Sequence, residues 1–168
     1  LRKKDGSLMF PKAQVHVPAP EHAFWFDDAK MNAAPPAARG GFENARKVIG
    51  GLPTDILRKY EPGQELAPGI RAEAAFGHTP GMNMVSVQSE GQKFMYVADL
   101  TNVPSLFARS PDWAVQFDMD AEMARQTRRR VFDTLVKDKV MAGGYHFPFP
   151  AFGTIEAAGN GYQFKPVA

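Results

Sequence analysis

The sequence contains no cysteine. Disulfide bonds, thiolate metal sites and cysteine nucleophiles are therefore excluded. Long apolar runs are also missing, since none approaches the roughly 18 residues of a membrane-spanning helix. Residues 1–11 are basic at their start, but no apolar signal-peptide core follows them. We therefore expect a soluble protein without a membrane partner, in a compartment that is either periplasmic or cytoplasmic.

An excess of one charge is missing as well. The formal net charge is +2 over 168 residues, and 44% of the residues are hydrophobic. This balance is ordinary for a globular protein and does not predict a nucleic-acid partner. The basic run at 125–130 lies in a predicted amphipathic helix, where a solvated helix face is the favoured interpretation over a phosphate-binding patch. The length predicts a single domain over 1–168.

Hydrophobic periodicity and turn residues divide the chain into helices and strands. Helices are predicted over 21–31, in two pieces over 42–60, and over about 121–137; the Ala/Pro-rich residues 32–41 are predicted as a mobile loop. Strands are predicted over 13–18, near 66, and over 70–76, 82–89, 93–98 and 139–146, with a hairpin in the tail that turns at 159–161. Intermixed helices and strands indicate an α/β or α+β protein.

Only four histidines occur, and one of them, His78, lies in a Gly-His-Thr-Pro-Gly turn. The hairpin that follows returns the chain to the same end of the sheet, so it brings Asp99 close to His78. A later strand ends at His146. Two imidazoles and a carboxylate from three strand ends are a ligand set suited to Zn²⁺.

Each of these residues also has an ordinary structural interpretation. A histidine between glycine and proline is more often a turn or core residue than a ligand. Asp99 follows a hydrophobic strand and is able to cap the next loop through local hydrogen bonds. His146 lies between two aromatic residues and suits a packed core. From the residues alone, both interpretations stay open.

Three motifs resemble the second half of a metallo-β-lactamase-fold hydrolase. They are "GHTPG" at 77–81, "VADL" at 97–100 and "GYHFPFP" at 144–150. The stretch 65–100 is similar almost throughout to the methyl parathion hydrolase-like branch of that superfamily, and the resemblance covers nearly the whole chain, with 32–60 the weakest part. It implies an α+β fold, the αββα sandwich, here lacking its N-terminal portion.

The resemblance implies a role for each site residue. His78 and His146 would be metal ligands, and Asp99 would be the catalytic carboxylate that bridges two divalent ions. The ions would be zinc, with iron, manganese or cobalt as alternatives, and a metal-bound hydroxide would attack the substrate. Trp25 and Phe147 would line the pocket for a small-molecule substrate, although core packing suits each of them better.

Two departures from the family pattern bear on these expectations. The family's first metal motif, His-x-His-x-Asp-His, does not occur, and the spacing of His16 and His22 does not match it. On the family pattern the motif would precede Leu1, so we expect the chain to be a C-terminal portion that is inactive alone. It would then pack against the missing N-terminal segment or a second chain, as in a homodimer. The other departure is Met82, where relatives often have a histidine that is not usually a ligand.

The leading hypothesis is a metal-dependent hydrolase, as the intact protein, that cleaves an ester, a lactone or a phosphotriester. Lactonase and organophosphate hydrolase activities are equally compatible with the fold. One alternative is a non-catalytic fragment or association unit that lacks the first metal motif. The other is a redox diiron protein of the same fold.

Overall fold

The computed structural model describes residues 1–167, which form two compact units. The first unit is Leu1–Glu61 and the second begins at Pro62. Helices and strands are mixed in both units, so the α+β class is confirmed. Over residues 1–167, none of the helices has the length and apolar character that crossing a membrane requires.

The first unit contains two strands and three helices, which are β1 (Val15–Pro18), α1 (Ala19–Trp25), α2 (Asp28–Ala33), α3 (Pro36–Ile49) and β2 (Leu57–Tyr60). The strands pair in parallel, with Val15 opposite Leu57. Helical structure was predicted to continue to Tyr60, and this prediction is wrong because the last four residues form β2.

Two further predictions for the first unit are wrong. A single helix over 21–31 is replaced by α1 and α2, because the Asp27 side chain accepts a hydrogen bond from the Lys30 backbone N–H (3.0 Å) and caps a new helix. The predicted mobile loop at 32–41 contains the start of α3. Pro36 is the first residue of α3, a position where proline removes no intrahelical hydrogen bond.

The second unit is built on a seven-stranded sheet in which neighbouring strands follow chain order. Its strands are β3 (Glu65–Ala67), β4 (Ile70–Ala74), β5 (Asn83–Ser89), β6 (Gln92–Tyr96), β7 (Met141–Gly143), β8 (Phe152–Ala158) and β9 (Gly161–Pro166). All neighbours are antiparallel except β6 and β7, which are parallel. A crossover therefore joins β6 to β7, and it contains α4 (Pro104–Arg109) and α5 (Ala121–Asp138).

Helix α5 covers one face of this sheet. Its buried residues Val131, Phe132 and Leu135 belong to the same core cluster as Met84 of β5 and Met95 of β6. The Asp120 side chain caps the helix by accepting from the Met123 N–H (2.9 Å). The helix predicted from apolar spacing at 121–137 is confirmed.

Turn chemistry predicted the hairpins well. The loop between β5 and β6 is Glu90–Gly91, and both residues have positive φ, which suits a tight two-residue hairpin. The tail hairpin turns at Gly159–Asn160, also as predicted. In contrast, the strand expected over 139–146 is only three residues long, so His146 lies in the loop after β7. Helix α4 was not predicted.

Candidate metal centre

The turn that bears His78 is closed on itself and fixed to α5. The Ala75 N–H donates to the Met82 carbonyl (2.9 Å), and the Asp120 N–H donates to the Gly77 carbonyl (2.9 Å). Gly77 has a φ of +130°, and a Cβ there would lie 2.3 Å from the Ala124 backbone nitrogen. Only glycine permits this conformation and this close approach, so the sequence "GHTPG" fixes His78 beside the start of α5.

His78 contacts a buried carboxylate. Its Nδ1 lies 3.0 Å from Asp118 Oδ1, and the Asp118 side chain is 2% exposed. A carboxylate accepts hydrogen bonds, so the Nδ1–H of His78 donates to it and the Nε2 lone pair is left free. The His78 side chain is 21% exposed, so the residue is partly accessible from the surface.

Asp99 and His146 are brought together by the parallel pairing of β6 with β7. Tyr96 and Gly143 are paired partners at the ends of these strands, and each site residue lies three positions beyond its strand. The two loops are held by a hydrogen bond from the Tyr145 N–H to the Ala98 carbonyl (3.2 Å). As a result, Asp99 Oδ1 lies 3.1 Å from His146 Nε2.

The three predicted ligands lie in one region, but only two of them contact each other. Asp99 and His146 contact each other, while His78 and Asp99 line the same narrow crevice. Within residues 1–167, no group of three histidine, cysteine, aspartate or glutamate side chains is close enough to be a ready metal cluster. The structure thus brings the predicted residues to one region without closing a three-donor set.

The donor set fits a divalent ion in its chemistry. Imidazole nitrogens and a carboxylate are ligands that Zn²⁺ accepts. Two ligands of one tetrahedral ion, each at about 2.0–2.1 Å, lie about 3.3 Å apart, which is close to the 3.1 Å between Asp99 and His146. The pair therefore has a suitable separation, and His78 presents a free Nε2 at the same crevice.

A phenol pair lies beside this region. The rings of Tyr96 and Tyr145 are 5.9 Å apart at a steep angle. Burial, followed by the hydrogen bond with Tyr145 and the nearby charge of Asp99, raises the pKa of Tyr96 well above its usual value. Tyr96 therefore stays a neutral phenol at physiological pH.

Sequence reasoning missed Arg128, whose side chain is 2% exposed. Its Nε–H donates to the Leu100 carbonyl (2.8 Å), and its Nη1 donates to the carbonyls of Pro111 (2.8 Å) and Trp113 (2.6 Å). The interpretation of 125–130 as a wholly solvated face is therefore wrong at this residue. The buried face of α5 repeats every three or four residues and includes positions 124, 127, 128 and 131. This helical period alone therefore places position 128 near the core.

Solved structures with this fold are known. AidC, described as a dizinc quorum-quenching lactonase in complex with a product, is 27% identical with a TM-score of 0.84, and the match covers 99% of this chain and 59% of AidC. AbOPH, described as a hydrolase in the beta lactamase superfamily, is 25% identical with a TM-score of 0.86, and the match covers 98% and 58%. An N-acyl homoserine lactone hydrolase (17% identity, TM-score 0.53, 83% and 52% covered) shares the fold alone.

The chain belongs to the metallo-β-lactamase superfamily. It spans slightly under three fifths of the length of AidC and AbOPH. No protein-family model and no curated protein sequence matches it. The finer assignment to the methyl parathion hydrolase-like branch stays a prediction.

The two residues predicted to bind substrate in this superfamily member lie among other aromatic rings. In the first unit, the Trp25 ring packs edge-on against Phe42 (4.9 Å), and its indole N–H donates to Glu21 Oε2 (2.6 Å). In the second unit, Phe147 is buried and packs against Phe164 (5.0 Å). Phe147 is a core residue and Trp25 is half-buried, and a role of either in substrate binding stays a prediction.

Proposed function

We propose that the intact protein is a metal-dependent hydrolase that opens a lactone or cleaves a related ester. One observation carries the proposal: His78, with its Nε2 free, lines the same crevice as Asp99, which contacts His146, on a metallo-β-lactamase-superfamily fold. The proposal is consistent with the dizinc centre that is named for AidC.

His78, Asp99 and His146 are the residues that would hold the metal. Asp99 would contribute its carboxylate oxygens, while each histidine would contribute one ring nitrogen. Bound divalent ions would polarise the scissile carbonyl or phosphoryl group and lower the pKa of a water molecule. Zinc is proposed as the metal because the donors are nitrogen and oxygen atoms of borderline and hard character.

Two exposed aromatic side chains that neighbour this region in sequence, one before His146 and one before Asp118, suit a substrate with an apolar portion. Tyr145 and Phe117 are 58% and 63% exposed, and each is adjacent in sequence to a residue of the site. Exposed aromatic surface beside a polar centre is able to bind an acyl or aryl group while the ester is held at the ligands.

Among the substrate classes, a lactone is favoured by the description of AidC as a lactonase. An ordinary ester reacts through the same carbonyl chemistry. A phosphotriester also requires polarisation of an oxygen, but at a phosphoryl group, so it stays the third candidate. These classes differ in the group that the aromatic surface must hold.

The proposal is tested by assaying the zinc-loaded, full-length gene product against N-hexanoyl homoserine lactone, an aryl ester and a phosphotriester. We expect measurable hydrolysis of the lactone, and a loss of about 100-fold or more in kcat/KM for His78→Ala and Asp99→Asn, since losing a ligand should exceed the 10–100-fold effect of an outer-shell partner. His16→Ala is the matched control, because His16 is an exposed residue of β1. A zinc-loaded protein that hydrolyses none of the three compounds would contradict the proposal.

A further inference from the structure

Asp118 is the most deeply buried ionisable group that contacts a predicted ligand. One of its oxygens, Oδ1, accepts the hydrogen bond from His78 Nδ1 (3.0 Å), and the other, Oδ2, accepts from the Val115 N–H (3.2 Å). Arg128 Nη2 lies 3.8 Å from the same Oδ2. A buried carboxylate is costly unless it is paired and hydrogen-bonded, and Asp118 satisfies both conditions.

Arg128 fixes Asp118 relative to the segment after Asp99. Its guanidinium donates to the carbonyl of Leu100, the residue that directly follows Asp99, and its Nη2 faces Asp118. The guanidinium also stacks on Phe107, with 4.6 Å to the ring centroid. One rigid side chain on α5 therefore contacts both Asp118, the hydrogen-bond partner of His78, and Leu100, the residue after Asp99.

We propose that Asp118, held by Arg128, is a positioning residue that keeps His78 in the Nδ1-protonated tautomer with Nε2 directed to the metal. The inference rests on the proposed function, since it assumes that His78 is a ligand. Histidine ligands generally donate their second ring N–H to a carboxylate or carbonyl group, which fixes the tautomer and raises the basicity of the ligating nitrogen. Asp118 is correctly placed for this role.

A purely structural ion pair is the alternative. In that case Asp118 would stabilise the loop before α5 without affecting the ring of His78. The two roles make different predictions for the tautomer of the metal-free protein, because only a positioning residue controls which ring nitrogen carries the proton.

The test uses two readouts on the full-length gene product. Long-range ¹⁵N–¹H NMR of the metal-free protein at alkaline pH reports which nitrogen of His78 is protonated. Competition with a chelator reports zinc affinity. We expect the Nδ1–H form in the wild type, a mixed or Nε2–H form in Asp118→Asn, and zinc affinity lowered about 10–100-fold in the variant. Asp120→Asn is the matched control, since asparagine retains the helix cap and Asp120 caps α5 instead of contacting His78.

Each outcome decides the inference. An Nε2–H tautomer in the wild type overturns it, as does an Asp118→Asn protein with unchanged tautomer and unchanged zinc affinity. If the variant does not fold, the wild-type tautomer still decides. If the wild type binds no zinc, the proposed function fails, whereas the NMR comparison still shows whether Asp118 controls the ring of His78.

Discussion

Gly77 is the residue on which the position of His78 depends. Its backbone conformation, with φ at +130°, is one that side-chain-bearing residues rarely adopt, and its α-carbon faces the backbone of Ala124. The adjacent backbone hydrogen bonds then hold His78 against the loop that contains Asp118. A single glycine thus links local turn geometry to the orientation of a proposed ligand.

Replacement of Gly77 by alanine should destabilise the protein more than the same change at Gly91. Both glycines have positive φ, but a Cβ at Gly91 meets nothing within 4 Å, whereas one at Gly77 meets backbone atoms of α5. The left-handed conformation costs about 1–2 kcal/mol at Gly91, and the clash adds to a strain of about 1–3 kcal/mol at Gly77. Urea unfolding of the two variants measures the difference; equal losses would contradict the role assigned to the close approach.

Residue patterns in the sequence predicted the candidate ligands but not the buried residues that hold them in place. His78 and Asp99 follow predicted strands and His146 ends one, and strand-end positions are visible in the sequence. Asp118 is 40 residues from its partner His78, so no local period connects the two. Arg128 lies at a position where the helical period of α5 faces the core, but its residue type is that of its solvated neighbours, so its burial was missed.

The parallel pairing of β6 with β7 is the element-scale cause of the Asp99–His146 contact. The two strands end at paired residues, and each site residue lies three positions beyond its strand. The side chains of Asp99 and His146 therefore come together. The crossover from β6 to β7 contains α5, and α5 packs on the sheet through the core cluster. Stability of α5 on the sheet is therefore a condition for the site.

Truncation of Phe132 on α5 should lower the free energy of unfolding by about 3–5 kcal/mol, as for other buried aromatic residues. Phe132 is 1% exposed and its ring packs against Tyr162 at 5.1 Å. Val136→Ala on the same helix is the control; Val136 is only partly buried, so its loss should stay below about 1.5 kcal/mol, at about 0.8 kcal/mol per methylene. Denaturant unfolding followed by circular dichroism checks both, and similar losses would contradict this packing.

The helices, strands and turns predicted from local sequence agree with the structure better in the second unit than in the first. Turn residues such as Glu90–Gly91 and apolar periodicity in α5 agree with the tertiary packing. In 32–60, proline and glycine were interpreted as breaks, yet Pro36 begins α3 and the segment after Pro53 becomes β2. Pairing of β2 with β1 is a non-local contact that no pattern within 42–60 encodes.

At the scale of the whole molecule, the sheet face opposite α5 carries a row of apolar side chains. Ile70, Val87, Phe94 and Met141 are paired partners across four adjacent strands. Val87 and Met141 are 37% and 39% exposed. Ile70 and Phe94 are half-buried, so the row is partly exposed, and an exposed apolar row of this kind promotes association.

We therefore predict that the 168-residue chain, produced alone, self-associates. Sedimentation velocity should show species above 18.5 kDa whose proportion rises with concentration. Val87→Lys should reduce the association, because a charge in the row is costly to bury. Gln163→Lys, at an exposed position of β9, adds the same charge elsewhere and should not reduce the association. A stable monomer at every concentration would contradict the prediction.

The central claim, that His78, Asp99 and His146 hold metal, is tested most directly by the metal content of the purified full-length gene product. Elemental analysis after loading with zinc and removal of excess ions should find near-stoichiometric metal in the wild type. Content should fall by at least one ion per chain in His78→Ala or Asp99→Ala and stay unchanged in His16→Ala. Metal content that is the same in all four proteins, or negligible in the wild type, would contradict the account.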